Sequence, residues 1–500
     1  MPVSRRSFIA GSALPALRTS ARSAPQKGGR PKNVLFLLSD QHKPGVMGID
    51  GHTLAHTPAL DMLAQSGLRF RHAYCSNPVC GPARASLWTG LYTHHHGVVA
   101  NEVPWPAGLK SIADFFRDAG YETGAIGKMH FADAHTHGFE YRLDFNDWYQ
   151  YLGPKAKLYA NEVGHTFPGD GHPQIRSLWR DMPDPWKDVY EPDGRQGTTH
   201  LGRASKMAEQ DHFDSFVARE SVEYLRRHGR SGPFFLVSSF LKPHQPFMPA
   251  ARFAAMYRPE DMRMPDSWGK VDPATMPQFQ VASTTHNTLT PELLDPKKAV
   301  ERIAAYYGSL AQADDCLGQV LSALRDLGLE DDTIVVYTSD HGEMLGEHSL
   351  WQKFVFYESS VGVPLMMRVP GIAAAGSVCQ APVSHVSVAP TLAELCGIAT
   401  PATFDGESLV RFLQKPELTN NAPVFSEYDL GTPKKKYMIR QGGWKYCHYH
   451  TDVPQMFNLK EDSSEMRNLA LDPEHRERRK ELYGRLCDWH AEVRQSVPSA

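Results

Sequence analysis

The sequence lacks the features that would remove it from the class of ordinary globular proteins. Its longest apolar runs, such as residues 34–38 and 333–337, are strand-sized and far short of the roughly 18 residues that a membrane span needs. It has no internal repeat and no low-complexity tract. Over 500 residues, 41% are hydrophobic and 22% are charged, a balance that excludes disorder, collagen and coiled coil. We therefore expect a large folded protein with no membrane span.

Cysteine is scarce and positive charge is not in excess. Seven cysteines, an odd number spread over a long chain, define no disulfide framework. The formal net charge is −3, and the first 32 residues carry seven basic side chains but no acidic one, so the remaining chain is the acidic part. Nucleic-acid-binding surfaces are usually basic, and we therefore expect no nucleic-acid partner. An anionic substrate would need a local cluster of cations.

The amino terminus has the pattern of an export signal. The segment SRRSFI at residues 4–9 precedes a weakly apolar stretch, and small residues near Ser23 and Ala24 could serve for cleavage. We predict a twin-arginine signal peptide at residues 1–30 and a periplasmic or secreted protein. A basic tail with no targeting role is the alternative, because the apolar segment is short and contains Pro15.

Short β-branched runs alternate with amphipathic helical segments through the rest of the chain. This alternation predicts a mixed or parallel sheet with helices on both faces. Strands are expected at residues 34–38, 124–127, 234–237 and 334–337, and helices at 58–66, 111–119, 297–327 and 389–395.

Polar side chains follow four of these predicted strands. Parallel strands end along one edge of a sheet, where open α/β sheets bind ligands, so the four endings could share one cleft. Ordinary turn residues after strands are the alternative for any single ending. The residues concerned are Asp40 and Gln41, Lys128 and His130, Lys242 and His244, and Asp340 and His341.

The residue types at two of these endings suggest a metal site. Asp40, Gln41 and Asp340 offer hard oxygen ligands and His341 offers a nitrogen, a set that favours Ca²⁺ or Mn²⁺ over a thiolate-rich zinc site. The histidine run at residues 94–96 invites a second metal site, but beside Gly97 we expect it to be structural or an accessory contact.

A cysteine lies at a predicted helix start. Pro82 suits the first turn of a helix, which would place Cys80 just before the amino terminus and Arg84 one turn further in. Both the helix terminus and the arginine favour negative charge at position 80. A buried structural cysteine is the alternative.

The segment Cys80-Gly81-Pro82-Ala83-Arg84 resembles the C-x-P-x-R signature of the formylglycine-dependent sulfatases, in which this cysteine is oxidised to an aldehyde. Other blocks resemble that family in the same order, and the similarity covers about residues 33 to 475. The blocks are Asp40-Gln41, Thr89-Gly90, residues 127–130, residues 242–244, residues 339–342, residues 351–353, and segments 440–446 and 456–459 of the C-terminal part.

Four positions depart from the usual family pattern, among them Ser387, which replaces a frequent Asp. Ala83 replaces a frequent Ser, Gln41 replaces a second Asp of many members, and His341 replaces a frequent Asn. The Asp-Gln and Asp-His pairing is similar to the choline-sulfatase and phosphonate monoester hydrolase branch. The choice between sulfur and phosphorus substrates therefore stays open.

The resemblance implies an architecture. It implies an α/β protein of alkaline-phosphatase-like fold, with a large mixed, mostly parallel sheet sandwiched by helices and a smaller C-terminal α+β subdomain. We predict a catalytic domain at residues 31–400 and a C-terminal subdomain at 401–500.

The resemblance also implies a reaction and the roles of single residues. It implies hydrolysis of sulfate esters to alcohol and inorganic sulfate, through a formylglycine at Cys80 and a bound Ca²⁺ or Mn²⁺. The alternatives are a phosphonate monoester or phosphodiester hydrolase with the same nucleophile, and a binding protein in which Cys80 is never modified. The implied ligands are Asp40, Gln41, Asp340, His341 and Cys80; Arg84 would stabilise the nucleophile, Lys128 and Lys353 would hold the sulfonate oxygens, His244 would protonate the leaving alcohol and His130 would deprotonate or orient the hydrate.

The implied partners are a formylglycine-generating maturation enzyme and a small sulfated substrate. The substrate could be a sulfated carbohydrate, an aryl sulfate or a choline-like ester. An aromatic-rich segment at about residues 139–199, which includes Trp148, Trp179 and Trp186, could cover the cleft and select among them.

Overall fold

Two sheets form the framework of the protein in a computed structural model. The structure describes residues 33–133, 135–158, 204–229, 231–270, 275–281, 295–399 and 404–496. The predicted signal peptide, Trp179 and Trp186 lie outside these residues. None of the described helices combines the length and the apolar composition that a bilayer crossing demands.

Eight strands form the larger sheet and four strands near the C-terminal end form the smaller one. The larger sheet contains β1 Asn33–Asp40, β2 Leu68–Tyr74, β3 Glu122–Gly127, β4 Tyr141–Leu143, β5 Phe234–Pro243, β6 Thr333–Ser339, β7 Gly362–Arg368 and β8 Ser377–Ser384. The smaller sheet contains β9 Val424–Tyr428, β10 Lys436–Gln441, β11 Trp444–Tyr449 and β12 Gln455–Asn458.

The described α-helices connect and cover these strands. They are α1 Pro58–Ser66, α2 Cys80–Thr89, α3 Thr93–His96, α4 Ile112–Asp118, α5 Phe145–Leu152, α6 Lys155–Leu158, α7 Phe213–His228, α8 Ala251–Ala254, α9 Gln278–Val281, α10 Pro296–Asp326, α11 Glu358–Val361, α12 Val388–Leu395, α13 Val410–Gln414 and α14 Arg476–Trp489.

The strand order of the larger sheet is β4-β3-β5-β1-β6-β7-β2-β8. Strand β7 runs antiparallel to both of its neighbours, and every other neighbouring pair in this sheet is parallel. The predicted fold class, a mixed and mostly parallel sheet with an appended C-terminal α+β subdomain, is confirmed.

The central strand β1 is buried on both faces, as expected for a parallel strand covered by helices. Its alternating side chains enter two different cores. Phe36 packs edge-to-face on Trp88 of α2, with ring centroids 4.9 Å apart, on one side of the sheet. Leu35 and Leu37 join the core that α7 and α10 contribute to on the other side.

The helix boundaries follow from capping. Ser111 accepts a hydrogen bond from the Ala113 N–H and, with Asp114, forms a capping box at the start of α4. Asp295 caps α10 in the same way, with Pro296 in its first turn. Two details differ from the prediction: Cys80 is the first residue of α2, not the residue before it, and β5 continues to Pro243.

Partly buried ion pairs join the smaller sheet to the larger one. Glu358 of α11, which leads into β7, binds Arg440 of β10 at 3.0 Å and Lys445 of β11 at 3.0 Å. Lys445 also pairs with Glu465. The smaller sheet is antiparallel throughout. The predicted division near residue 400 stays a prediction.

Candidate active site

The four strand endings singled out from the sequence meet at one edge of the larger sheet. Strands β3, β5, β1 and β6 are adjacent in that order. Their register pairs Gly127 with Ser239, Asp40 with Pro243, and Ser39 with Ser339. The residues that follow these positions therefore lie side by side because the parallel strands end together.

Cys80 lies at the centre of this edge and is 2% exposed. Its Sγ is 3.1 Å from His341 Nε2 and 3.5 Å from Lys353 Nζ. Lys128 Nζ and Asp40 Oδ1 are each 4.0 Å from the same sulfur. Two cationic side chains, an imidazole and a carboxylate therefore surround the thiol.

Arg84, one helical turn into α2, connects the two strand-end carboxylates. Its Nε donates to Asp340 Oδ2 at 2.8 Å, and its Nη2 donates to Asp40 Oδ2 at 3.0 Å. Its Nη1 donates to Ser239 Oγ at 2.9 Å and to the carbonyl of Lys128. The guanidinium is 1% exposed. With this many donors in use, Arg84 is fixed in place and offsets part of the carboxylate charge.

Lys128 reaches the site because β3 ends at a glycine with φ of 106°. A Cβ at Gly127 would collide with the carbonyl oxygen of Ser239 on β5, so only glycine fits this close approach. Lys128 Nζ then lies 2.8 Å from Asp40 Oδ2. Lys242 of the neighbouring strand differs, since its Nζ donates to the carbonyl of Met248.

Lys353 and His244 form a pair beside the thiol. Lys353 Nζ is 3.0 Å from His244 Nε2 and 2.6 Å from Gln41 Oε1. His244 Nδ1 is 2.5 Å from the backbone carbonyl oxygen of Gln245, which can only accept a hydrogen bond. The Nδ1 therefore donates, and Nε2 of the neutral ring accepts from the lysine ammonium.

A left-handed backbone conformation directs Gln41 and His130 toward the site. Gln41 and His130 have φ of 66° and 61°, in the left-handed region that side chains other than glycine rarely adopt. Asp340 Oδ1 accepts the backbone N–H groups of Gln41 at 3.1 Å and of His341 at 2.9 Å. Such conformations concentrate at functional sites, where surrounding contacts hold them.

The pKa of the Cys80 thiol lies well below its usual range. Burial alone would raise this pKa, but the positive charges of Lys128 and Lys353, with His341, outweigh the effect. A hydrogen bond from His130 contributes in the same direction. The site is thus built to stabilise an anion at position 80.

The pKa values of the neighbouring groups follow the same charge pattern. Burial and the nearby Cys80 would raise the pKa of Asp40, but Lys128, His244 and Arg84 hold it far below its usual value. The pKa of His244 is lowered, first by burial and then by Lys353. Burial lowers the pKa of His341, but Asp340 and Cys80 together raise it by more, so the net shift is upward.

The strand-end carboxylates, the thiol and His341 could hold a cation. One ligand atom from each of Asp40, Cys80, Asp340 and His341 lies within 4.8 Å of the others, and all four residues are buried. Gln41 adds an amide oxygen beside Lys353. Carboxylate and amide oxygens with one imidazole fit a hard divalent cation such as Ca²⁺ or Mn²⁺.

Sequence reasoning missed three contributors. Ser239 accepts from Arg84, while Glu343 and Gln245 both accept from the Gln41 side-chain amide. Glu343 carries a signal in the sequence, since it follows directly on the Asp340-His341-Gly342 block. Gln245 carries the same signal, since it follows directly on the block at residues 242–244, whereas Ser239 carries none.

The histidine run at residues 94–96 lies elsewhere and makes structural contacts. His96 Nε2 is 2.9 Å from Ser86 Oγ, and His95 contacts Asp405. His94 Nδ1 is 2.9 Å from each carboxylate oxygen of Glu427, and His490 completes a second group of metal-type ligands with these two residues.

Comparisons with known proteins agree with this geometry. The Sulfatase family model matches residues 32–398, and the model described as N-sulphoglucosamine sulphohydrolase, C-terminal, matches residues 346–492. A choline-sulfatase of Rhizobium meliloti is 31% identical over 459 residues, covering 89% of this chain and 83% of the relative. An arylsulfatase of Clostridium perfringens is 29% identical, with 89% and 92% covered.

A solved structure is similar over nearly the whole chain. The phosphonate monoester hydrolase of Agrobacterium radiobacter superposes with a TM-score of 0.77 and 25% identity, covering 92% of this chain and 96% of that one. The alkaline-phosphatase-like fold and the family inferred from the motifs are confirmed. The chain belongs to the sulfatase family and is a sulfuric ester hydrolase.

Proposed function

We propose that the protein hydrolyses small sulfate esters outside the cytoplasm, through a formylglycine at position 80 and a bound divalent cation, Ca²⁺ or Mn²⁺. One observation carries the proposal: Cys80 Sγ lies within 4.0 Å of Lys128, Lys353, His341 and Asp40. A neutral buried cysteine with a structural role would gain nothing from two lysines at this distance. An attacking oxygen anion and a transferred sulfonate group would.

The modified residue and the cation would supply the chemistry that amino-acid side chains lack. A hydrated aldehyde at position 80 supplies one hydroxyl to attack sulfur and a second whose ionisation later releases sulfate, and the cation favours the ionised hydroxyl. Asp40, Gln41, Asp340 and His341 would hold the cation, together with the side chain at position 80.

The cationic side chains would bind and orient the ester. Lys128 and Lys353 approach position 80 closely, at 4.0 Å and 3.5 Å from Sγ, and could hold the sulfonate oxygens as negative charge grows on them. Arg84 lies behind the two carboxylates and keeps them in place.

Proton transfer would use the two histidines. His244 Nε2 accepts from the Lys353 ammonium at 3.0 Å, so Nε2 could take up this proton, leaving Lys353 neutral, and then donate the same proton to the leaving alcohol. His130 contributes to lowering the pKa of the thiol at position 80, and it would remove a proton from the remaining hydroxyl or orient it.

The nature of the ester is a separate part of the proposal. Relatives include a choline-sulfatase, an arylsulfatase and an N-acetylglucosamine-6-O-sulfatase, so a small sulfated alcohol, aryl sulfate or sulfated carbohydrate is the proposed class. The similarity to a phosphonate monoester hydrolase keeps phosphonate esters as the second candidate. Export through the twin-arginine pathway and maturation by a formylglycine-generating enzyme belong to the same proposal.

Two measurements test it. The chain is co-expressed with a formylglycine-generating enzyme, and mass analysis of the peptide that contains Cys80 should show conversion of the thiol to an aldehyde. An unchanged thiol would favour a binding protein. Converted protein is then assayed with matched aryl sulfate and phenyl phosphonate esters, and a large preference for the phosphonate would overturn the choice of sulfate.

A further inference from the structure

Glu343 is a fully buried carboxylate that none of the proposed catalytic steps uses. It lies two residues after His341 and contacts both Gln41 and the loop that leads to Lys353. Its two oxygens have different partners. This division suggests that one side chain positions a metal ligand and a substrate-binding lysine together.

The first oxygen fixes the Gln41 amide. Gln41 Nε2 donates to Glu343 Oε2 and, at 2.6 Å, to Gln245 Oε1. Gln41 Oε1 accepts from Lys353 Nζ at 2.6 Å. The two ends of an amide have nearly the same shape, so its orientation is decided by its partners. Two acceptors at one end and an ammonium at the other leave one satisfied orientation, with the oxygen on the side of the thiol.

The second carboxylate oxygen, Oε1, binds the backbone of the loop that leads to Lys353. Glu343 Oε1 accepts the backbone N–H of Leu345 at 2.9 Å and of Gln352 at 2.6 Å. Gln352 has φ of 68° and directly precedes Lys353. The contact therefore holds the turn from which Lys353 reaches position 80.

The buried side chain of Arg302 offsets the negative charge of Glu343 without forming a hydrogen bond to its carboxylate oxygens. The Arg302 guanidinium stacks over the Trp351 ring at 4.3 Å and the Phe247 ring at 5.2 Å. None of its nitrogen atoms has a hydrogen-bond partner in the part of the chain that the structure describes. It interacts with Glu343 by electrostatic attraction. Both carboxylate oxygens stay available for Gln41 and the loop.

We propose that Glu343 is a positioning residue that orients the Gln41 amide oxygen toward the cation. This inference rests on the metal site of the proposed function. Three N–H donors converge on the two oxygens of Glu343. In Glu343→Gln an amide has only one acceptor oxygen, so its NH₂ group would face either the loop or the NH₂ group of Gln41. In the first case the loop N–H groups would lose their acceptor; in the second case Gln41 would turn its NH₂ group toward the cation, where it cannot act as a ligand.

Loss of the negative charge of Glu343 could by itself weaken cation binding. The experiment separates this charge effect from the loss of the Gln41 amide orientation. Calcium chloride or manganese chloride is titrated into chelator-treated full-length protein by calorimetry. The proteins are wild type, Glu343→Gln, Gln41→Asp and the double variant. An aspartate ligand presents oxygen in either orientation and needs no amide positioning. Glu347→Gln is the matched control, because Glu347 lies in the same loop and its carboxylate pairs with Lys43, at 2.7 Å, and with Ser359 rather than with the Gln41 amide.

We expect Glu343→Gln to raise the cation Kd about 10-fold or more, the usual range for residues that orient metal ligands. In the Gln41→Asp background the same change should alter the Kd by less than about threefold, as should Glu347→Gln in wild type. Equal weakening in both backgrounds would show a charge effect and overturn the inference.

Two further outcomes are decisive. If wild type binds the cation and Glu343→Gln binds it with the same Kd, this inference alone is overturned. If wild type binds neither cation, the proposed metal site is overturned as well. If Glu343→Gln does not fold, Gln245→Met removes the second acceptor of Gln41 Nε2 and should raise the Kd about threefold or more. An unchanged Kd in that variant would count against the inference.

Discussion

Two groups of metal-type ligands occur among the described residues, and they differ in how their charges are balanced. The active-site group, Asp40, Cys80, Asp340 and His341, lies against Arg84, Lys128 and Lys353. The junction group, His94, Glu427 and His490, joins α3 to the C-terminal subdomain. Similar residue types therefore serve different purposes in the two places.

The residues of the junction group form hydrogen bonds with one another and with neighbouring backbone N–H groups. Glu427 accepts the backbone N–H of His94 at 2.9 Å as well as its ring. His490 Nδ1 accepts the backbone N–H of Glu492 at 3.1 Å, so the neutral ring carries its proton on Nε2, the other nitrogen that could have bound a metal. Burial, with His94 nearby, lowers the pKa of His490 to about 4, so this ring is neutral at pH 7. Ligand type alone does not define a metal site; the remaining partners of each ligand decide.

The largest expected effect is the loss of turnover in Cys80→Ala. Sulfate ester hydrolysis should fall at least about a thousandfold, because the nucleophile is removed. The thermal midpoint should stay nearly unchanged, since a small side chain at a helix start contributes little to the core. Cys75→Ala, which removes another buried thiol, is the control and should keep its turnover. Equal activity of Cys80→Ala and wild type would refute the nucleophile assignment.

Asp340→Asn should weaken cation binding and turnover together, by about a hundredfold or more. The variant removes a proposed metal ligand and also a partner of Arg84. Calorimetric titration with Ca²⁺ and steady-state kinetics measure the two effects. Glu427→Gln, in the junction group, is the matched control and should leave the cation affinity unchanged. Unaltered calcium affinity in Asp340→Asn would contradict its role as a ligand.

His244→Gln should reduce turnover in proportion to how poor the leaving group is. For an alkyl sulfate the decrease should reach about a hundredfold, because the alcohol needs a proton as it leaves. For p-nitrophenyl sulfate, whose leaving group is stable as an anion, only a few-fold decrease is expected. A series of aryl sulfates with graded leaving-group pKa values measures this, and the same decrease for all of them would exclude His244 as the acid.

Glu427→Gln should give the smallest effect, on stability and not on catalysis. Replacing the buried carboxylate weakens its pair with His94 and should lower the free energy of unfolding by about 1–3 kcal/mol. Urea denaturation measures this, and turnover per folded molecule at 25 °C should match wild type. Zinc bound to wild type and lost from Glu427→Gln would show instead that the junction group is a metal site.

Some of the contacts on which this comparison depends could not be predicted from the sequence. The strand endings and the Cys80–Arg84 block were predictable, because a parallel sheet collects its carboxyl ends at one edge and a helix start with proline is local chemistry. The pairing of His94 with Glu427 joins residues 333 positions apart. The contact between Gln41 and Glu343 spans 302 positions. No local pattern encodes such pairs.

The sequence by itself determined the family, the mostly parallel sheet and the identity of the side chains available at its edge, since these follow from short motifs and from the periodicity of apolar residues. Only the tertiary structure decided how those side chains share their charges and protons: that Arg84 joins two carboxylates, that Lys353 reaches both Gln41 and His244, and that His94 pairs with Glu427 and not with the thiol. The physical reason is that electrostatic and hydrogen-bond energies depend on distances of a few ångströms, which long-range packing sets.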